Sequence, residues 1–259
     1  MKLIDKSNNR IQGNAIVDKL LDEAWDDTDL QYKGADYDGL NCNEYRRELV
    51  PLMLEEQGNR CCYCLKELRT DEYRKKGNIT IEHIIPQSIT KEKFNSYLVA
   101  QELNDHVIHK DDFQRNIRHI FLDKYPHDIC FSNLIASCNS KEHCNNPRGN
   151  KDIKPFMYDS DIESKVVYDA AGLIDCEEYK TSFENIGLDS PDLTIIRKIW
   201  RKLSSRIENP EHVTHEEIDV ELYSLIDDPD YLKIIETFTP SQQAELKDYQ
   251  WFYNYYKII

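Results

Sequence analysis

From residue 15 to residue 25 the apolar side chains return every third or fourth position, the period of a helix with one buried side. Residues 26–39 break that rhythm with Asp and Gly and read as a loop. The helical period resumes over residues 43–57, where Leu49, Leu52, Met53 and the ring of Tyr45 share a side. Gly58 supplies its stop, and Pro51 is expected to disturb its start or its straightness. At 79–85 the pattern changes to the β-branched run Ile-Thr-Ile-Glu-His-Ile-Ile, which predicts a strand ending at Pro86. Residues 88–128 are helical in pattern again and read as an insertion. Phe94, Leu98, Leu103, Phe113, Ile117, Ile120 and Phe121 form its buried side, and His106, His109, His119 and His127 are expected on its polar faces.

Further along, Val166-Val167-Tyr168 and Leu173-Ile174 flank a turn at 169–172 and predict a hairpin. A helix follows with Ile195, Ile196, Ile199, Trp200, Leu203 and Ile207 on its apolar side and Arg197, Lys198, Arg201, Lys202 and Arg206 on its basic side. The aromatic run Tyr249-Gln-Trp251-Phe252-Tyr253-Asn-Tyr255-Tyr256 suits the packing of helices better than an exposed surface for stacking bases, because its acidic surroundings repel phosphate. Together these elements predict an α+β fold, a small strand-bearing core embedded in a mainly helical chain. Four segments result: 1–58 helical, 59–155 the core with its insertion at 88–128, 156–207 the hairpin and basic helix, and 208–259 an acidic, aromatic helical segment.

Charge changes the picture of where chemistry can lie. The formal net charge of -15 argues against a protein that coats nucleic acid by charge alone. Residues 60–155, however, hold 16 Lys and Arg against 13 Asp and Glu, a balance of +3, so the remainder carries 17 against 35, a balance of -18. From Glu208 onward there are 12 acids against 3 bases. Phosphate is therefore to be sought in the middle of the chain. No apolar run approaches the roughly 18 residues of a membrane span, and the opening residues lack the apolar stretch of a secretory signal, so a cytoplasmic location is expected.

In a reducing compartment, 8 cysteines with several in close pairs point to metal ligation rather than disulfides. Cys61 and Cys64 are separated by two residues and Cys138 and Cys144 by five, so each pair can present two sulfurs from one turn. Four thiolates close a tetrahedral sphere around zinc and leave no open position, the mark of a structural site. The wider second spacing leaves Cys62 and His143 as alternative ligands.

Between the two pairs lies Glu82-His83-Ile84-Ile85-Pro86, followed by Asn133-Leu134 and then Cys144-Asn145-Asn-Pro-Arg148-Gly-Asn. This order, over residues 45–155, resembles the HNH endonuclease family with zinc knuckles. The continuation to Arg206 resembles the nuclease subunit of anti-phage systems such as Septu. The resemblance implies a ββα-metal unit gripping one divalent cation, Mg²⁺ or Mn²⁺, at the scissile phosphate. It implies His83 as general base, Glu82 and Asn145 as ligands of the catalytic ion, and Asn133 as the residue that orients the loop and the base. Glu82 stands where many members carry Asp, and Asn145 stands in place of a final His. Arg148, one turn into the following helix, is expected to meet phosphate. DNA is the favoured substrate over RNA, and an ATPase subunit is the implied protein partner. The strongly acidic remainder also suits a nuclease that relies on a partner to bring it nucleic acid. A non-catalytic zinc-stapled interaction module is the rival class, although it has no need of Glu82, His83 and Asn145 together.

Overall fold

The computed structural model describes residues 1–69, 79–115, 124–206, 216, 219–221 and 245–258. Its first helix, α1 (Arg10–Ala24), buries Ile16, Val17, Leu20 and Leu21 and starts five residues before the predicted position. Asn9 explains the early start, because its Nδ2 donates to Leu52 O at 3.2 Å and ties the beginning of α1 to a second helix. Gly13 sits where a Cβ would lie 2.2 Å from the ring of Phe131, so only glycine lets that ring pack against the helix backbone. The predicted loop at 26–39 is not plain coil. It carries the two-residue strands β1 (Trp25–Asp26) and β2 (Gln31–Tyr32) and the start of the turn of helix α2 (Tyr37–Leu40). Helix α3 (Asn43–Glu56) runs through Pro51, with Leu49, Val50, Met53 and Leu54 fully buried.

Strand β3 (Ile79–His83) pairs antiparallel with a later strand, Leu134–Cys138, with Glu82 opposite Ile135 and His83 opposite Leu134. It stops two residues short of the predicted end, because Asn133 captures the backbone beyond it. Among its described residues the insertion carries the short helices α4 (Lys91–Tyr97), α5 (Gln101–His106) and α6 (Lys110–Arg115). Strands β4 (Val107–Ile108) and β5 (Tyr125–Pro126) pair in parallel beside them. Phe94, Leu103 and Phe113 are buried as expected and Leu98 is half-buried. Ile117, His119, Ile120 and Phe121 lie outside the described residues, as does Ile207.

The strand Leu134–Cys138, β6, is buried throughout and is held from its free edge by side chains and the Cys62 N–H, which donates to Ala136 O at 3.1 Å, rather than by a third strand. Gln57, at the end of α3, donates from Nε2 to Ala136 O at 2.8 Å while its Oε1 accepts the Ala136 N–H at 2.7 Å. One amide thus replaces a strand partner, which buried backbone groups require. Below the same strand, Lys6 donates to Leu134 O at 2.7 Å, pairs with Glu56 at 2.7 Å and lies 4.2 Å over the ring of Phe131. Burial pushes Glu56 up to about 7 against the pull of Lys6. Such a pair is costly to break, because either partner alone is a buried charge.

Helix α7 (Asn145–Arg148) follows β6, then α8 (Ile162–Lys165), the hairpin β7 (Val167–Tyr168) and β8 (Ile174–Asp175), and α9 (Lys180–Asn185). The hairpin is the predicted one, turned by Gly172 at φ 81°. Helices α10 (Pro191–Arg206) and α11 (Trp251–Ile258) pack on each other, with Trp200 donating to Leu246 O at 3.0 Å. Tyr249, Phe252 and Tyr253 are fully buried, so these rings are packing residues. The basic side of α10 is interrupted. Arg197 is buried, donating to Gly172 O at 3.1 Å and lying 4.9 Å over the ring of Tyr168. The protein is thus a mixture of helices and small two-stranded sheets, of α+β class. Among the described residues no helix is long and apolar enough to cross a membrane.

Two histidines expected on polar faces are interior. The rings of His109 and His127 lie 4.9 Å apart, and both pack against Phe94. His127 donates from Nε2 to Gln87 O at 3.2 Å and accepts the Lys110 N–H on Nδ1 at 3.1 Å, so protonation breaks a hydrogen bond in a buried place. Burial lowers its pKa to about 4. A depressed value means that the unfolded chain takes up this proton first, so the contribution of His127 is full above about pH 6.5 and is lost as pH falls toward 4. Its ceiling is about 3 kcal/mol. Urea midpoints compared between pH 7.5 and pH 4.5 should fall further in the wild type than in His127→Phe; equal falls would refute this origin of the acid sensitivity.

Candidate metal centre and active site

Four cysteines from three stretches of chain meet in the interior. Cys61 and Cys64 flank a tight turn closed by Leu65 N–H to Cys61 O at 3.1 Å and Cys61 N–H to Lys66 O at 2.8 Å, with Leu65 in the left-handed region at φ 66°. Cys138 ends β6, and Cys144 immediately precedes α7 with φ 68°. A side chain there is strained. The conformation persists because Ile186 O takes the Cys144 N–H at 2.7 Å while the sulfur joins the cluster.

The four sulfurs lie within 4.8 Å of one another, and the Cys61–Cys144 and Cys64–Cys138 pairs are each 3.7 Å apart. A zinc tetrahedron with bonds of about 2.3 Å has edges of about 3.8 Å, which these two pairs match. Burial opposes charge at Cys61 and Cys64, yet hydrogen bonds from the facing thiols outweigh it, bringing Cys61 far below its ordinary value and Cys64 to about 6. Cys138 and Cys144 are raised well above their ordinary value instead, Cys144 chiefly by burial, so the four thiols do not shed their protons alike. It is the geometry and the sulfur donors that suit a dication. These four buried cysteines can therefore hold a metal ion such as zinc. Cys62 stays outside the set and is pushed up by burial. His143 touches it as a neighbour, with Nδ1 3.1 Å from Cys144 Sγ.

The strand that leads away from this cluster carries Glu82 and His83. His83 is buried, and its Nε2 lies 2.9 Å from Asp128 O. A carbonyl only accepts, so the proton sits on Nε2 and the lone pair is on Nδ1. Gln87 Nε2 rests against this ring, 3.3 Å from Nδ1 and 3.5 Å from Nε2, and Tyr37 meets it edge-on at 4.5 Å. Burial lowers the His83 pKa to about 4, so the imidazole is neutral at physiological pH.

Asn133 is fully buried and braces the turn after His83. Its Oδ1 accepts the Ile85 N–H at 2.7 Å, and its Nδ2 donates to Ile85 O at 3.0 Å and His127 O at 2.6 Å. Glu82 is buried beside Arg148, 3.5 Å from its guanidinium, and burial raises its pKa to about 7 against that attraction. Arg148 was expected at a phosphate. Its guanidinium instead turns inward and donates to Tyr63 OH at 2.7 Å and Ile84 O at 2.8 Å. The four-residue α7 is also too short to build an anion site at its start. Asn145, half-buried, stands one turn before Arg148 on the same side of the helix.

Sequence reasoning missed Tyr37, Tyr63, Gln87 and Asp128, which surround Glu82 and His83. Only Gln87, directly after the Ile-Ile-Pro run, had a position that could have flagged it. No family model, no curated protein and no solved structure matches the chain.

Metal should be a condition of stability here. Stripping it with a chelator at pH 7.5 should lower the thermal midpoint by roughly 10 °C or more. Cys138→Ser should lose the metal and reproduce that loss, whereas Cys62→Ala should keep the metal. Equal metal loss in both variants would overturn the four-cysteine assignment.

Proposed function

We propose that this chain is a metal-dependent endonuclease of the HNH type, hydrolysing phosphodiester bonds with DNA as its substrate. One observation carries the reading: the His83 imidazole has its proton fixed on Nε2 by a backbone carbonyl and stands next to Glu82, on a strand whose other end pairs with Cys138 of the four-cysteine cluster. A general base needs this arrangement, because the lone pair on Nδ1 is free of a covalent proton at physiological pH.

In this reading β3, β6 and α7 are the ββα unit. His83 takes the proton of the attacking water through Nδ1, once the Gln87 amide has moved off the ring. Asn133 holds His83 in place by fixing the backbone of Ile85 and His127. Glu82 and Asn145 would hold Mg²⁺ or Mn²⁺, since both offer hard oxygen donors. Two observations support this: Arg148 ties α7 to the strand of Glu82, and a buried carboxylate with a raised pKa gains from a nearby dication. When bound, that ion supplies Lewis acidity to the phosphoryl oxygen and to the departing 3′ oxygen. Arg148 acts by holding Glu82 and Ile84 rather than by touching phosphate.

The charge distribution supports a dependent enzyme. Outside residues 60–155 the balance is -18, which repels nucleic acid, so a protein partner delivers the substrate. On the resemblance to Septu-type systems, that partner is an ATPase and the role is anti-phage defence.

The test is cleavage of plasmid DNA and of RNA by wild type and His83→Ala, with Mg²⁺ or Mn²⁺ and with EDTA, alone and with a co-purifying ATPase. His83→Ala should cut about 10²- to 10⁴-fold more slowly while keeping its cysteine-bound metal. Preference for RNA would redirect the substrate. Equal rates in wild type and variant would favour the non-catalytic interaction module.

A further inference from the structure

Four thiolates around a dication carry a net charge of about -2, and here that charge would be fully buried. Such a site needs hydrogen-bond donors aimed at the sulfurs. Three come from the cluster's own neighbourhood, the Cys138 N–H to Cys61 Sγ at 3.3 Å, the Ser137 hydroxyl 3.6 Å from Cys61 Sγ and the His143 ring beside Cys144 Sγ at 3.1 Å. A fourth comes from 185 residues away, where the hydroxyl of Tyr249 donates to Cys64 Sγ at 3.7 Å.

Tyr249 is delivered there by contacts with the cysteine turn itself. The Glu67 N–H donates to Asp248 O at 2.7 Å, and Lys66 pairs with Glu245 at 2.7 Å. Leu246 and Tyr249 are fully buried, and Leu246 O is held by Trp200 of α10 at 3.0 Å. The surface on which residues 245–249 sit is therefore the turn that the metal shapes.

We infer that Tyr249 is an outer hydrogen-bond donor of the metal centre, and that metal occupancy and docking of the segment 245–258 stabilise each other. The coupling is reciprocal: whatever the segment adds to metal affinity, the metal adds to the segment's docking. The helix α11 is then fastened through the metal centre as well as through α10. None of this rests on the nuclease reading.

Cobalt(II) is the probe, titrated into metal-free protein against a competing chelator and followed by its thiolate charge-transfer absorption. Tyr249→Phe removes one hydroxyl from a buried ring and should weaken cobalt binding by about tenfold, the scale of outer hydrogen-bond partners. It should also shift the charge-transfer bands, because one sulfur loses its donor. Glu245→Gln, which loses the ion pair with Lys66 and no hydrogen bond to a sulfur, should weaken binding more than twofold through the coupling and leave the bands in place. Affinity of Tyr249→Phe within twofold of wild type overturns the inference. If Tyr249→Phe does not fold, Glu245→Gln decides alone, and unchanged affinity in it overturns the inference.

Discussion

The meeting of Cys61, Cys64, Cys138 and Cys144 is the constraint on which the rest of this structure hangs. It joins a turn after α3, the end of β6 and the start of α7, three stretches separated by up to 83 residues of chain. The strand pair is only five residues long on each side, and an isolated pair of that length is not stable in water. Anchoring one end at Cys138 and covering the free edge with Gln57 and Cys62 gives β6 the fixed position that a wider sheet would provide. The other end of the pair, five residues along β3, is where Glu82 and His83 stand. The four-cysteine corner therefore sets the position of Glu82 and His83.

Around this corner the fold uses buried polar groups instead of further strands. Gln57 pairs with Ala136, Asn133 with Ile85 and His127, and Lys6 with Leu134 and Glu56. Each satisfies backbone atoms that a larger sheet would have satisfied, and each is expensive to lose because the partner left behind is buried. Arg148 belongs to the same class: its three contacts lock α7 against β3. The groups of the proposed site are thus tied by buried hydrogen bonds at Glu82 and His83, with the half-buried Gln87 at their edge.

The cysteine set was legible in the sequence because two closely spaced cysteine pairs leave few roles for their thiols, and the hairpin at 167–175 was legible because turn residues separate two short apolar runs. The strand at 79–83 and the helices at 10–24, 43–56 and 191–206 followed from periodicity, with errors at their ends. The rest was hidden for physical reasons. Periodicity places cations outside, yet Arg197 is inside because a carbonyl and two aromatic faces replace its water. Polarity placed His109 and His127 outside, yet an imidazole with both nitrogens bonded can be buried. Arg148 had a plausible phosphate role from its place after Pro147, and nothing local announced Tyr63 and Glu82 as its partners. Tyr249 read only as packing, since a single hydroxyl aimed at a sulfur 185 residues away leaves no sequence pattern.

That a metal bound by these four sulfurs organises the fold is the claim on which the other steps depend, and X-ray absorption at the metal edge tests it directly. Protein purified without added metal should show zinc in one environment of four sulfurs at about 2.3 Å, with no nitrogen or oxygen in the first coordination sphere. A protein without bound metal, or a zinc spectrum requiring a histidine nitrogen in place of a sulfur, would contradict it.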